Sequence, residues 1–426
     1  MKITIVGTGF VGVVSAAVYS SLGNQVIGLD IDPNKIKSLK QSKVPFFEPG
    51  LEKLLIEQQR AGRLQFTDNY KKAISEAELI IIAVGTPSKK TGAVDLSYIF
   101  SACKSLAPHI KPKVIIAIKS TVPPGSFTQI KKTIQELTAK KFYLVSLPEF
   151  LKEGTAVSDT LHPDRVVIGT DNAQVFKKLA ALHQPFKAPV VKVGIESAQM
   201  IKYTANAYLA TRITFINQIA NLCEHNQANI EEVIEGIGYD QRIGHHYWYP
   251  GLGYGGSCFP KDVKELAAYA KNHGETDNLM IQLDRLNEAR IPSLINHWGK
   301  IVGGWENKQV AILGLSFKSN TNDTRESPAS RIVPQLLSSG AKIKAYDPKA
   351  IWKPANQQNY QQVDSIKTAT AKADIILVLV EWPEIINFDY STIKVSKKQF
   401  MIDVRNQLEP DSISQAGFSY LGIGRN

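Results

Sequence analysis

The sequence predicts an α/β chain: two doubly wound parallel-sheet domains joined by a long central helix and a helical middle domain. Three observations predict it. Short β-branched runs alternate with helical segments through residues 1–194. From Glu196 to about Glu224 no Gly or Pro interrupts a run of Ala, Ile and Leu at helical spacing. The strand pattern then returns at Gln309.

Taken in order, Lys2–Gly7 (KITIVG) reads as a buried strand, short, β-branched and closed by glycine. Val13–Leu22 follows helical spacing, with Gly23 as a stop. Gln25–Asp30 is strand again, and similar runs recur at Leu79–Val84, Val114–Ile118, Tyr143–Leu147 and Arg165–Ile168. Strands separated this way imply parallel βαβ units. The uninterrupted run after Glu196 has the length of a spine between two halves. More helix follows at Ile230–Ile237 and from Val263 to about Asn272. Strands resume at Gln309–Phe317, Ala341–Tyr346, Asp374–Val380, Phe400–Val404 and Phe418–Leu421. The expected domains are therefore 1–194, 195–302 and 303–426.

A chain of 426 residues suits two or three domains at roughly 150 residues each. Hydrophobic residues at 43% and charged residues at 21% are the balance of a soluble globular protein rather than a disordered one. Three cysteines cannot build a disulfide framework, so a reducing, cytoplasmic setting is expected. The N-terminal apolar run resembles a signal peptide, but three glycines break it and a second strand ending in an acid follows. No apolar run reaches the ~18 residues that span a membrane. The net charge of +11 suits an anionic partner, and a phosphate-bearing metabolite fits it as well as nucleic acid does.

GTGFVG, Gly7 to Gly12, lies between strand and helix. Gly7 permits the tight turn, Gly9 lets backbone approach a pyrophosphate, and Gly12 lets helix and strand pack closely. The helix N-terminus attracts the anion. Asp30 ends the next strand, where an acid takes ribose hydroxyls and repels a 2′-phosphate, so the expected cofactor is NAD. Both α/β domains are read as Rossmann-like. The second domain's first turn, GLSFK, lacks the glycine spacing and is not expected to bind a dinucleotide in that way. GTP at Gly85–Pro87 and STVPPG at Ser120–Gly125 each follow a strand, and are either cleft-lining loops or ordinary turns. PEFLKEG, Pro148 to Gly154, adds Glu149 and Glu153 as general-base candidates. Lys202 and Asn206 lie four apart on one helical face, and are either a pair that can donate to an oxyanion or a sugar hydroxyl or an ordinary solvent-facing lysine and its neighbour. His245-His246 has no acid or Cys at ligand spacing, so no metal is expected.

GLGYGGSCFPKD, Gly251 to Asp262, sets Cys258 among glycines and just ahead of a helix begun by Pro260. A thiol at a helix N-terminus beside Lys261 favours the thiolate. Cys103 and Cys223 sit in amphipathic helical contexts and read as core residues.

GTGFVG with Asp30, GTP, STVPPG, PEFLKEGTA, KYTANAYLATRITFINQIA, the DQRIG block with GYGGSCFPKD, and GLSFKSNTNDTRESP occur in that order. The chain resembles the UDP-glucose/GDP-mannose dehydrogenase family, from about residue 1 to about 424, and within it the members that oxidise UDP-glucose. The resemblance implies oxidation of C6 of a nucleotide sugar to a carboxylate with two NAD. Cys258 is then the nucleophile that carries a thiohemiacetal and a thioester. Lys202 and Asn206 stabilise oxyanions, Asp262 with Thr121 holds a water, and Glu149 is the acid/base of the thioester stage. Val11, Lys35, Thr86, Thr121, Glu153, Lys261 and Arg325 join the glycine turn in contacting NAD. Phe150, Leu151, Lys152, Tyr247, Tyr249, Gly251, Gly255 and Lys318 contact the sugar nucleotide, together with Lys202 and Asn206. Arg242 resembles an arginine that reaches the neighbouring subunit's site, implying a homodimer, and the C-terminal domain holds the UDP end. Neither nucleic acid nor membrane is implied as a partner. Trp248, Tyr249 and Pro250 depart from the family pattern beside the expected sugar pocket. Related substrates remain open: GDP-mannose, or a UDP-N-acetylhexosamine. Two-electron oxidation of a 3-hydroxyacid fits less well because it needs no thiol, and a non-catalytic NAD-binding scaffold would not need Cys258, Lys202 and Asp262.

Overall fold

Apolar residues two apart in the central strands split the first sheet into two buried faces. Its strands are β1 (Lys2–Val6), β2 (Gln25–Leu29), β3 (Leu64–Thr67), β4 (Leu79–Ile82), β5 (Val114–Ile118), β6 (Phe142–Ser146), β7 (Val166–Gly169) and β8 (Val190–Val193). The computed structural model describes residues 1–89, 91–395 and 398–425. Among the described residues these strands form one sheet in the order β3-β2-β1-β4-β5-β6-β7-β8. Ile3, Ile5, Leu79, Ile81 and Ile115 pack on one face. Val6, Ile80, Ile82, Ile116 and Ile118 pack on the other. Burial on both faces explains why β4 reads LIII rather than an alternation.

Pairing is parallel except at β6 and β7, which meet antiparallel at Ser146 and Gly169. That departs from the all-parallel expectation. The strand order reverses between β1 and β4, the point where doubly wound sheets hold ligands beyond their strands' carboxyl ends.

The second sheet repeats the scheme with β9 (Gln309–Leu313), β10 (Lys342–Tyr346), β11 (Tyr360–Gln362), β12 (Ile375–Val378), β13 (Gln399–Asp403) and β14 (Phe418–Leu421), in the order β11-β10-β9-β12-β13-β14. All its pairings are parallel among the described residues. The spine helix runs Ile195–Asn226. A 24-residue helix, Leu279–Val302, passes through Pro292, whose ring normally ends a helix. It survives because Leu283, Ile291, Leu294, Ile295 and Trp298 bury one face.

The chain divides into two compact units, Met1–Ala205 with Ala268–Gly274, and Asn206–Ala267 with the chain from Glu275 onward. No helix among the described residues is long and apolar enough to cross a membrane.

Candidate active site

In the first unit the glycine turn closes directly onto its helix. That helix spans Phe10–Ser21, three residues earlier than periodicity suggests, because the last three residues of GTGFVG already form its first turn. A side chain at Gly12 would strike the Gly7 carbonyl, so helix and strand touch there and only glycine fits. A Cβ at Gly9, by contrast, would meet no protein atom within 4 Å. Gly9 caps the helix, so its open backbone lies at a dipole suited to a diphosphate. Val11 is half-buried in that first turn.

Asp30 follows β2 and is buried. Its Oδ2 accepts from the Thr8 N–H and hydroxyl, both at 2.8 Å, and from Lys35 Nζ at 3.0 Å. Burial opposes its ionisation, but these bonds and one from the Asp32 N–H outweigh burial and hold its pKa below the usual carboxylate value. The second Rossmann-like domain has an acid at the same topological place, Asp347 after β10. Its Oδ2 accepts from Leu315 N (2.7 Å), Ser316 N (3.0 Å), Ser316 Oγ (3.1 Å) and Trp382 Nε1 (3.2 Å). Lys349 N and Ala350 N occupy its Oδ1. Six internal donors thus tie that carboxylate to the protein, against four at Asp30.

The strand-end loops of the first unit gather the remaining candidates. Thr86 is buried after β4. Thr121 is half-buried in the turn after β5. The spine helix anchors that turn through Gln199 Nε2, which donates to Val122 O at 3.1 Å and Pro123 O at 2.8 Å. One turn further on, Lys202 Nζ meets Glu149 Oε1 at 3.0 Å, both groups buried. Burial favours the neutral Glu149 carboxyl. Lys202 first, then Lys119 and the Leu151 N–H (2.8 Å), overcome burial and lower its pKa. Glu149 therefore rests as a carboxylate, a proton acceptor. Phe150 lies under the Arg165 guanidinium, 3.7 Å from ring centre to Cζ. Lys152 is exposed and Glu153 half-buried. Glu48 holds the loop: it accepts from Gly154 N at 2.6 Å and Ala156 N at 2.7 Å.

In the second unit, Cys258 immediately precedes the helix Phe259–Asn272, and its carbonyl accepts the Asp262 N–H at 2.9 Å. Cys258 is exposed, whereas Cys103 and Cys223 are buried. Asp262, 1% exposed, takes Asn206 Nδ2 on one oxygen at 2.5 Å and Lys261 Nζ on the other. The thiol thus stands at a helix N-terminus one turn from a carboxylate that already has two donors.

The glycine loop ahead of it is clamped by residues the sequence did not single out. Gly251 N donates to Asn217 Oδ1 at 2.8 Å, and Arg290 Nε donates to Gly251 O at 3.0 Å. Asn287 reads both polar atoms of Tyr254, accepting its N–H at 2.8 Å and donating to its carbonyl at 3.2 Å. Gly253 has φ +94° and packs against Asn287, so a side chain there would be strained and obstructed. A side chain at Gly255 would strike the Glu326 carbonyl.

The flanking candidates are more dispersed. Tyr247 holds φ +64° and stacks near Tyr249, which is 55% exposed. The Arg212 guanidinium lies 3.8 Å over the Trp248 ring, and Trp248 donates to Gly244 O at 2.8 Å, so the indole anchors its own loop. Lys318 is half-buried against Phe317. Arg242 and Arg325 each fold back on an acid two residues away, Asp240 and Asp323. His245 packs edge-on against Tyr239.

Three family models match the chain: the NAD binding domain of the UDP-glucose/GDP-mannose dehydrogenase family over residues 1–187, its central domain over 196–289 and its UDP binding domain over 311–410. The chain belongs to the UDP-glucose/GDP-mannose dehydrogenase family. It is an NAD-dependent dehydrogenase. Among its relatives, the UDP-glucose 6-dehydrogenase TuaD of Bacillus subtilis is 41% identical, covering 100% of this chain and 93% of the relative. Among solved structures, a UDP-glucose dehydrogenase from Pyrobaculum islandicum superposes with a TM-score of 0.91 at 29% identity, covering 100% and 98% of the two chains. A UDP-D-ManNAc dehydrogenase from Pyrococcus horikoshii superposes with a TM-score of 0.87 at 27% identity, covering 100% and 99%.

Proposed function

We propose that the chain oxidises UDP-glucose at C6 to UDP-glucuronate in the cytoplasm, removing four electrons through a covalent intermediate on Cys258. The observation that carries this reading is the exposed thiol at a helix N-terminus, with Asp262 fixed by Asn206 and Lys261 in the first turn. A single two-electron oxidation has no use for such a sulfur. Curated relatives named UDP-glucose 6-dehydrogenase are 36–41% identical over the whole chain, which supports UDP-glucose as the substrate.

Residues 1–194 would hold NAD through Gly7, Gly9, Gly12 and Asp30, with Val11, Lys35, Thr86, Thr121 and Glu153. The open Gly9 backbone and the ionised Asp30 fit a dinucleotide's diphosphate and ribose. Lys261 and Arg325 complete the cofactor contacts. NAD, when bound, supplies the hydride acceptor for both oxidations.

Cys258 adds its sulfur to the aldehyde carbon left by the first oxidation and holds it as a thiohemiacetal. After the second oxidation it carries the carbon as a thioester, until water releases the acid and restores the thiolate. Lys202 and Asn206 donate to the oxygen of that carbon. Asp262 and Thr121 position a water. Glu149, resting ionised, takes the proton of the water that cleaves the thioester. Phe150, Leu151, Lys152, Tyr247, Tyr249, Gly251, Gly255 and Lys318 bind the sugar nucleotide, the UDP end lying in residues 303–426.

A homodimer completes the proposal, with Arg242 serving the neighbouring site. Tyr208, Phe215 and Leu222 recur every seven residues on the spine helix and are 57%, 51% and 59% exposed. A Phe215→Glu variant should sediment as a monomer; an unchanged dimer would remove this face from the interface.

The deciding experiment counts NADH released per sugar consumed across a panel of nucleotide sugars. Two per UDP-glucose is expected. One per sugar indicates a simple alcohol dehydrogenase, and turnover confined to GDP-mannose or a UDP-N-acetylhexosamine reassigns the substrate.

A further inference from the structure

Lys119 lies between β5 and the STVPPG turn, and the residue is only 8% exposed. Three strand ends meet around it. Its N–H donates to Ile82 O at 2.9 Å, and Leu147 N–H donates to Ile118 O at 2.9 Å, so β4, β5 and β6 finish side by side. Glu149 emerges from β6 just beyond Leu147. Lys202 comes to it from the spine helix, whose Gln199 grips the turn that follows Lys119.

Three charged groups therefore collect inside one unit, two cationic and one anionic. Only Lys202 and Glu149 share a hydrogen bond. Among the described residues Lys119 Nζ forms none, and the charges acting on it are those of Glu149 and Lys202. Lys119 also acts on His183, which burial keeps neutral, with a pKa lowered to about 4, and which bonds the Tyr19 hydroxyl at 2.8 Å. No described protein group accepts a hydrogen bond from the Lys119 ammonium, so its charge acts on the buried Lys202–Glu149 pair through space.

We propose that Lys119 is a positioning residue that keeps Glu149 a carboxylate while Lys202 gives its proton to the oxygen of the thiohemiacetal and recovers it when hydride leaves in the second oxidation. Lys119 does this through Glu149 and touches neither sugar nor cofactor. The inference rests on the functional reading above. Were Lys202 the only cation, its neutralisation would leave Glu149 buried beside no positive charge, and burial would drive the carboxyl to protonate. A second, unbonded cation keeps the carboxylate available for the attacking water. The direction of the Glu149 shift, with Lys119 as a lowering charge behind Lys202, agrees.

The test follows the carboxyl directly. Infrared difference titration of Lys119→Met, with Glu149→Gln to assign the band, should show Glu149 protonating about one pH unit higher than in the wild type. The acid limb of kcat against pH should move with it, while KM for NAD stays within about twofold. Lys119→Arg should return the titration to the wild-type position. If the Met variant does not accumulate folded, Lys119→Gln gives the same reading. A carboxyl band and acid limb that stay at wild-type pH, or an Arg variant that titrates with the Met variant, overturns the proposal. If wild-type enzyme yields two NADH per UDP-glucose and the band does not move, Lys119 has no such role and the functional reading stands. If the band moves but no nucleotide sugar is oxidised, the functional reading fails alone.

Discussion

Replacing Asn287 with alanine should loosen the loop that presents Cys258. Asn287 is 2% exposed and satisfies both backbone groups of Tyr254, at 2.8 and 3.2 Å. Alanine leaves a buried N–H and a buried carbonyl without partners, at about 1–3 kcal/mol each. The expected loss is about 2–4 kcal/mol, since water entering the gap recovers part of it. For a unit of this size that is a fall of roughly 5–15 °C in melting temperature. The effect on chemistry should be larger than on cofactor binding, because the glycine turn lies in the other unit and keeps all its contacts. Calorimetry gives the first number, and kcat beside the NAD dissociation constant gives the second. An Asn287→Ala enzyme that melts and turns over like the wild type would refute the claim that this amide holds the loop. Equal losses in turnover and NAD affinity would refute the claim that the damage is local.

Two further predictions use the first unit. Gly12→Ala would drive a methyl into the Gly7 carbonyl; titration calorimetry should show NAD binding weakened at least ~30-fold, about 2 kcal/mol, and unchanged affinity would show that the turn does not bind the cofactor. Lys119 should also leave a mark on stability: burial chiefly, and Lys202 further, lower its pKa from 10.5 to about 8, against the pull of Glu149. Between those values the unfolded chain binds the proton that the folded chain has lost, so wild-type stability should rise with pH across that window by up to about 3 kcal/mol. Denaturant unfolding at pH 8 and pH 10 tests this, and a Lys119→Met variant with the same slope as the wild type would show that the buried charge is not its source.

What the sequence made legible was local. The glycine turn, its helix and Asp30 are near neighbours in sequence, and their order alone marks a nucleotide-binding strand–turn–helix. Cys258 stood out because glycines surround it, and Lys202 and Asn206 because a helix puts residues four apart on one face. Their partners were not legible. Lys202 meets Glu149 across 53 residues and Asn206 meets Asp262 across 56, pairings set by tertiary packing. Asn217, Asn287 and Arg290 are single polar residues in helical text, and only the turns of glycine backbone they grip reveal their role. Lys119 reads as any lysine until its burial is seen. The strands that went unread, β3, β8 and β11, all lie at sheet edges, where short length and one open side erase the apolar run that marked the central strands. Pro292 hid the Leu279–Val302 helix because its cost is visible in the sequence while the buried face that offsets it is not.

The account turns on whether Cys258 sulfur becomes bonded to the sugar. Rapid acid quench of enzyme, NAD and UDP-glucose, followed by peptide mass mapping, reads this directly. Slowing thioester release with Glu149→Gln should raise the occupancy. The expected result is a UDP-glucuronyl adduct on the peptide containing Cys258, absent without NAD and absent from Cys258→Ser. Two NADH per sugar with an unmodified Cys258 peptide throughout turnover would contradict it.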